Sequence, residues 1–305
     1  AFAASAPEGS GDEVRFLATL SDLVSTSTGT MSSFTAMSGL GEMIGQGLTT
    51  EGMLSYRNAT YEVAGSAEGE DFDLRAGAAA GQLDVSVGPE GLSYGGMNSD
   101  VTLAVQGSQM PLPDASLAMD SSTWKFDMPV AVSEDPQDFA LLLRFDGLTV
   151  SDMLWGMFDP MGALPRDPAT LVVDVAGQAN WLVDITDPAI SETPFEGAPG
   201  EVHALTVNEL RLDVAGAELT GTGDFTFDNS SVPPVPAGAV DLQLVGGNAL
   251  LDTLVSMGLL PQEQAMGARM MLGLFARPGA GEDTLTSKIE FTPEGGIIAN
   301  GQPLR

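Results

Sequence analysis

From Gly52 onward the sequence alternates apolar and polar residues with a period of two, and it keeps doing so for most of the remaining chain. Leu54 and Tyr56 are followed by Phe72-Asp-Leu-Arg75, Leu83-Asp-Val-Ser-Val87, Leu92-Ser-Tyr94 and Val101-Thr-Leu-Ala-Val105. Longer alternating stretches occupy 124–132, 139–150, 171–185, 202–214, 218–227 and 239–245. Successive side chains of a strand point to opposite faces, so this pattern belongs to strands with one apolar and one polar face. Turn sequences such as Gly88-Pro-Glu-Gly91 and Ser133-Glu-Asp-Pro136 separate them. The expected fold is α+β and β-dominated: a long, curved antiparallel sheet with a few amphipathic helices packed on it. The 37 glycines fit many turns and bulges on such a sheet.

Before Gly52 the period is different. Residues 1–11 are small and polar and read as a flexible mature N-terminus. Residues 12–51 read as a helical region: Val14, Leu17, Leu20 and Val24 would share one face of a helix over 12–23. A second helical stretch would carry Met37, Leu40, Met43 and Ile44. Within the β-rich domain, 52–305, helices are expected at 151–158, 248–257 and 262–275, with Pro261 suited to the first turn of the last. Two segments share one plan, strand to Gly to helix to Gly-x-Leu-Pro to strand. They are Phe145-Asp-Gly147 through Gly162-Ala-Leu-Pro165, and Leu244-Val-Gly246 through Gly258-Leu-Leu-Pro261. The spacing suggests an internal duplication of strand–helix–strand units, about 139–185 and 239–301.

Charge and composition narrow the function. With 11 Lys+Arg against 42 Asp+Glu, the formal charge is −31. Nucleic acid is excluded as a partner, because it requires clustered cations. Hydrophobic residues at 43% exclude an acidic disordered chain. No apolar run approaches the roughly 18 residues of a membrane helix, so an integral membrane protein of that kind is not expected. Ala1-Phe-Ala3 has the small-x-small form of a signal-peptidase site, and a periplasmic location after signal cleavage is the expectation.

Gly258-Leu-Leu-Pro-Gln-Glu-Gln-Ala-Met-Gly-Ala-Arg-Met-Met-Leu-Gly-Leu-Phe-Ala-Arg277 and the closing Gly295-Gly-Ile-Ile-Ala-Asn-Gly-Gln-Pro-Leu304 resemble the uncharacterised alphaproteobacterial domain of unknown function 2125 family. The stretch from Trp124 to Trp181 is similar to it as well. The terminal Asn300-Gly-Gln-Pro-Leu304 is also similar to strand ends of AsmA-like envelope proteins. The AsmA-like resemblance implies a long curved sheet that holds lipid tails along a concave apolar groove. Neither resemblance brings catalytic residues.

No catalytic residue is expected from the sequence itself. Cys is absent, and His203 is the one imidazole, on a strand without a nucleophile elbow. No cofactor is expected, since the Gly-rich stretches lack a following Gly-Lys-Ser/Thr. Glu70, Asp71 and Asp73 form the densest acidic cluster and are weak Ca²⁺ candidates, lacking the order of an EF-hand loop. Methionine is the more suggestive residue. Met153, Met157 and Met161 are spaced i, i+4, i+8, and Met266, Met270 and Met271 repeat the theme. Met31, Met37 and Met43 lie near the N-terminal helices. Methionine side chains adapt to variable apolar shapes, so these residues are candidates to line a ligand groove. The expected function is non-enzymatic shelter of an apolar ligand, a lipid above all. The alternative is an accessory subunit or assembly factor docking on a membrane protein complex.

Overall fold

The computed structural model describes residues 2–5, 13–30, 43–44, 47–67, 70–89, 91–107, 114–184 and 198–304. They form one open antiparallel sheet of 15 strands in which almost every strand pairs with its neighbours in sequence. The first half comprises β1 (Phe2–Ser5), β2 (Glu13–Thr30), β3 (Thr49–Ala67), β4 (Glu70–Gly88), β5 (Gly91–Gly107), β6 (Asp114–Met128) and β7 (Gln137–Val150). The second half is β8 (Ala169–Trp181), β9 (Gly200–Val214), β10 (Ala217–Asp228), β11 (Val235–Val245), β12 (Arg277–Pro278), β13 (Thr284–Phe291), β14 (Ile297–Ala299) and β15 (Gln302–Pro303). Helix α1 (Asp152–Phe158) joins β7 to β8; α2 (Gly247–Ser256) and α3 (Gln262–Phe275) lie between β11 and β12.

The β-dominated class agrees with the alternation, and all three helices of the β-rich domain fall where the sequence places them. Two expectations fail. The first is the N-terminal helix: residues 13–30 are strand β2. The pattern that suggested a helix also alternates, because Val14, Phe16, Ala18 and Leu20 share one parity. Pairing along β3, from Glu13↔Ser66 to Thr30↔Thr49, overrides the weak local helical preference. Of the second helical stretch, Met43 and Ile44 are helical, whereas Met31, Met37 and Leu40 lie outside the described residues, as do 6–12.

The second failure is the number of strands. Phe72–Arg75 and Leu83–Val87 belong to one strand, β4, and Leu92–Tyr94 and Val101–Val105 to another, β5. The stretch between each pair is a change of parity rather than a turn. In β3 the apolar positions switch from even (Leu54, Tyr56) to odd (Ala59, Tyr61, Val63), and β4 to β7 switch at the same level. A slip of one residue exchanges the two faces of a strand. Along this line Asp22, Asn58, Asp100 and Gly147 have left-handed backbone, with φ of 49°, 49°, 48° and 71°. A transverse break therefore crosses β2 to β7, where left-handed residues re-aim the strands.

The sheet has no second layer among the described residues. The chain exposes 18332 Å², against about 12,000 Å² for a compact chain of this size. Among the described residues, buried apolar side chains cluster at Ile44, Val87 and Val130, packed against Leu48, Val85 and Leu92, where the helical turn at 43–44 closes over the end of β4 to β6.

Two carboxylates, the buried Asp159 and the half-buried Asp283, hold the helical connections. Asp159 is 0% exposed and accepts hydrogen bonds from the Ala163 and Leu164 amides at 2.8 and 3.0 Å, closing the loop after α1. Asp283 accepts from the Asn248 side chain at 2.8 Å and the Ala249 amide at 2.9 Å, capping α2 from the start of β13. Burial pushes both carboxyls up, but these bonds and the nearby Arg166 and Arg269 outweigh it and hold both below the usual carboxylate range. A lowered folded-state pKa stabilises the fold above the unfolded value, near pH 4, and that contribution is lost as pH falls through the lowered value. Urea midpoints are therefore expected to be insensitive to these groups from about pH 7 to 5 and to drop below about pH 4. Asp283→Asn should lower the neutral-pH midpoint and shrink the acid drop. An unchanged pH profile in that variant would contradict the assignment.

Candidate functional site

Residues paired directly across an antiparallel ladder share a face, so the registers sort the side chains of the sheet. Below the break, on the side of the Gly88–Gly91 turn, one face carries a continuous apolar row. It runs Leu54–Leu83–Gly96–Trp124–Leu143–Val173–Leu210–Gly221–Leu242 across β3 to β11. A second row runs Val85–Tyr94–Phe126–Leu141–Val175–Val207–Gly223–Val240–Ile289. No residue of either row is charged. The charges of the same strands fall on the other face, in ladders such as Lys125–Asp127 at 2.6 Å and Arg144–Glu209 at 2.7 Å. There Val172, between Arg144 and Arg211 in register, is 0% exposed. Long arginine stems shield apolar surface while their heads stay hydrated.

Glycine shapes the apolar face. Tyr56 lies over Gly81, Trp124 over Gly96, Phe139 over Gly177 and Leu242 over Gly221, each the direct cross-strand partner. A Cβ at any of the four glycines would collide with the side chain laid across it. Part of the glycine content that suggests turns is therefore a set of seats for large side chains. Tyr94 and Trp124 are 4.6 Å apart at their ring centroids, and Trp124 and Phe126 5.9 Å. These side chains remain only half-buried or exposed, with Tyr94 at 40% and Phe126 at 42%. At the break the face ends in a polar trio: Tyr56 Oη donates to Asn98 Oδ1 at 2.6 Å, and Asn98 Nδ2 to Ser122 Oγ at 3.2 Å. Burial holds the Tyr56 hydroxyl above its ordinary pKa, so it stays a neutral donor.

The methionines do not gather into one groove. Met153 is half-buried on α1, while Met157 and Met161 are exposed, Met161 at 81%. Met266, Met270 and Met271 are all exposed on α3. The two sets belong to connections rooted on either side of β8 to β11. Trp155 packs on Phe158 with Arg166 over its ring. The apolar sheet face is thus the larger candidate surface. Alternation made its strands visible, but only the registers reveal that the apolar parities coincide across nine strands.

Among the described residues no set of three His, Asp or Glu side chains converges on a metal position. Asp73 pairs with Arg75 at 2.6 Å, and Asp71 is exposed in the same strand; of Glu70 only the backbone is described, as part of β4. His203 Nε2 lies 2.6 Å from Asn180 Oδ1 and 4.0 Å from Glu201, on the polar side of β9. No helix among the described residues is long and apolar enough to cross a membrane. No curated protein and no solved structure matches the chain. One family model does match, over residues 53–297, which takes in the apolar face from β3 to β13. The chain belongs to that family, DUF2125, described as uncharacterized protein conserved in bacteria.

Proposed function

We propose that this chain shelters an apolar ligand, the acyl chain of a lipid, against the apolar face of its sheet. The observation that carries the reading is a charge-free apolar face, nine strands wide, with no second layer over it among the described residues. A soluble chain leaves so large an apolar patch open only where something covers it. Trp124 seated over Gly96 and Phe139 over Gly177 put ring surface on this face, where a flexible apolar chain can lie against it. The reading is that of a carrier rather than a catalyst: the two apolar rows hold no charged residue, and the hydrogen-bonded Tyr56–Asn98–Ser122 trio lies at their border. This is the ligand class that the likeness to AsmA-like proteins implies.

Native mass spectrometry of protein purified from its own cells, followed by organic extraction, tests the reading. A bound mass that extracts as phospholipid or fatty acid is expected. A bare chain that takes up neither after delipidation would overturn it. A second reading, docking on a membrane protein complex, is favoured by the exposed methionines of α1 and α3. It predicts a stoichiometric protein partner and a ligand-free sheet.

A further inference from the structure

We propose that the end of the sheet bearing α1, α2 and α3 rests on a bilayer of zwitterionic lipid, so that the apolar face opens onto the acyl layer; this builds on the carrier reading above. The connections β7–β8 and β11–β12 leave the sheet at the same end, because β7 and β11 run in the same direction. The turn between them joins the two. A Cβ at Gly216, in the β9–β10 turn, would meet Pro165 beyond α1, and a Cβ at Gly246, before α2, would meet the Gly216 carbonyl.

The apolar face reaches this end without interruption. A third row, Phe145–Leu171–Leu212–Leu219–Leu244–Leu285, lies on the same face as the two already described and nearest the helices. Ser287 pairs with Leu242 and so shares that face, and its hydroxyl donates to the Phe275 carbonyl. The last turn of α3 is thereby tied to the apolar side of the sheet. Past its first turn, the exposed residues of α3 are Met266, Met270, Met271, Gly273 and Leu274. Met266, Met270 and Leu274 are spaced i, i+4, i+8 on one face, while Ala265 and Leu272 turn inward on the other. On the other connection Met157, Phe158 and Met161 are exposed.

Charge selects the occupant. The whole chain carries −31, but Gly246–Ala280 holds Asp252 and Glu263 against Arg269 and Arg277, a formal charge of zero. Both cations are engaged, Arg269 with Asp252 at 2.6 Å and Arg277 with the Asn300 carbonyl. Arg166, beyond α1, pairs with Asp152 at 2.6 Å. Among the described residues these connections keep no cation for an anionic headgroup, and the carboxylates of Asp167, Glu263 and Glu282 have neither ion pair nor hydrogen bond. A neutral apolar end on an acidic body fits a zwitterionic surface and is repelled by an anionic one. Interfacial helices bury their apolar face about 5–10 Å deep, at the boundary of heads and acyl chains, and methionine adapts to that irregular environment. A protein partner is recognised through polar groups placed around a fitted core; beyond its first turn α3 exposes no polar side chain.

Flotation of the full chain with phosphatidylcholine vesicles reads the contact. The chain is expected to float with them, and phosphatidylglycerol mixed into the vesicles should weaken binding at low salt, through the charge of −31. Met266→Glu with Met270→Glu should lower partitioning about tenfold or more, while uptake of a fluorescent fatty acid from solution stays unchanged. Both positions are exposed, so the fold is retained, which circular dichroism checks. A chain that ignores phosphatidylcholine vesicles overturns the proposal, and a protein partner lost on the same substitutions would then be the occupant. Binding that requires phosphatidylglycerol, or that is indifferent to the two glutamates, overturns it as well. If the glutamates also abolish fatty-acid uptake, α3 holds the ligand itself and the docking surface falls. If the parent floats and the glutamate variant does not, yet neither takes up fatty acid, the membrane contact stands and the carrier reading fails.

Discussion

Leu143→Glu is expected to strip the protein of its apolar ligand, while Thr123→Glu leaves binding intact. Leu143 pairs directly with Trp124 and Val173, at the centre of the charge-free face. Thr123 is next to Trp124 in β6 and points to the polar face, opposite Arg144. In the free protein a carboxylate at position 143 keeps its hydration, because the face is only half-covered, so the fold survives. Once an acyl chain lies over it, that carboxylate is desolvated with no cation in its row to pair with. An unpaired buried charge costs several kcal/mol, and about 1.4 kcal/mol is a factor of ten in affinity. A loss of about 100-fold or more in fatty-acid affinity follows, read by titrating delipidated protein with a fluorescent fatty acid. Circular dichroism of both variants confirms that the strands persist. Equal retention of ligand by the two variants would place the binding surface elsewhere, with the exposed methionines of α3 the next surface to test.

The contrast between these two neighbouring residues explains what could be read from the sequence alone. Alternation identified β7 as a strand, because Phe139, Leu141, Leu143 and Phe145 keep one parity up to the break at Gly147. It did not say which residues of other strands lie beside Leu143, since register is fixed by pairing and turn geometry that no single strand contains. The face therefore emerged only from the ladders. The N-terminal misreading has a related cause. Val14, Leu17, Leu20 and Val24 fit a helical stripe, and Val14, Phe16, Ala18 and Leu20 fit a strand equally well. Only the presence of β3 along its whole length decides between them. In β4 and β5, runs of small residues looked like turns because turns and breaks in parity use the same residue types. The helices α2 and α3 were legible to within a residue or two, because Gly246, Gly258 and Pro261 punctuate them locally.

The transverse break supplies the other large effect, on stability rather than binding. Gly147 sits in β7 with φ of 71°, and a Cβ there would overlap the Asp120 side chain of β6. Gly147→Val faces two penalties at once: about 1–2 kcal/mol for a left-handed residue with a side chain and about 1–3 kcal/mol for the steric conflict. A loss of about 3 kcal/mol is expected in urea unfolding. Asn58 and Asp100, at φ of 49° and 48°, carry residue types that tolerate this backbone. Asn58→Val and Asp100→Val should each cost about 1–2 kcal/mol, whereas Asn58→Gly should stay within about 0.5 kcal/mol of the parent. Positions 58 and 100 are separated by the whole of β4, about 9.5 Å at ordinary strand spacing. Their losses should therefore add to within about 0.5 kcal/mol. If the valines at 58 and 100 prove harmless while Gly147→Val alone destabilises, the break depends on the Asp120 contact rather than on backbone conformation. If all are harmless, the strands relax through the line without left-handed residues, and the parity switch must be absorbed by another distortion of the ladder. The expected pattern ties the break to left-handed backbone at the same level in several strands. It would also explain why Tyr56, Asn98 and Ser122 close the apolar face there, since the ladder beyond them no longer continues the same register of side chains.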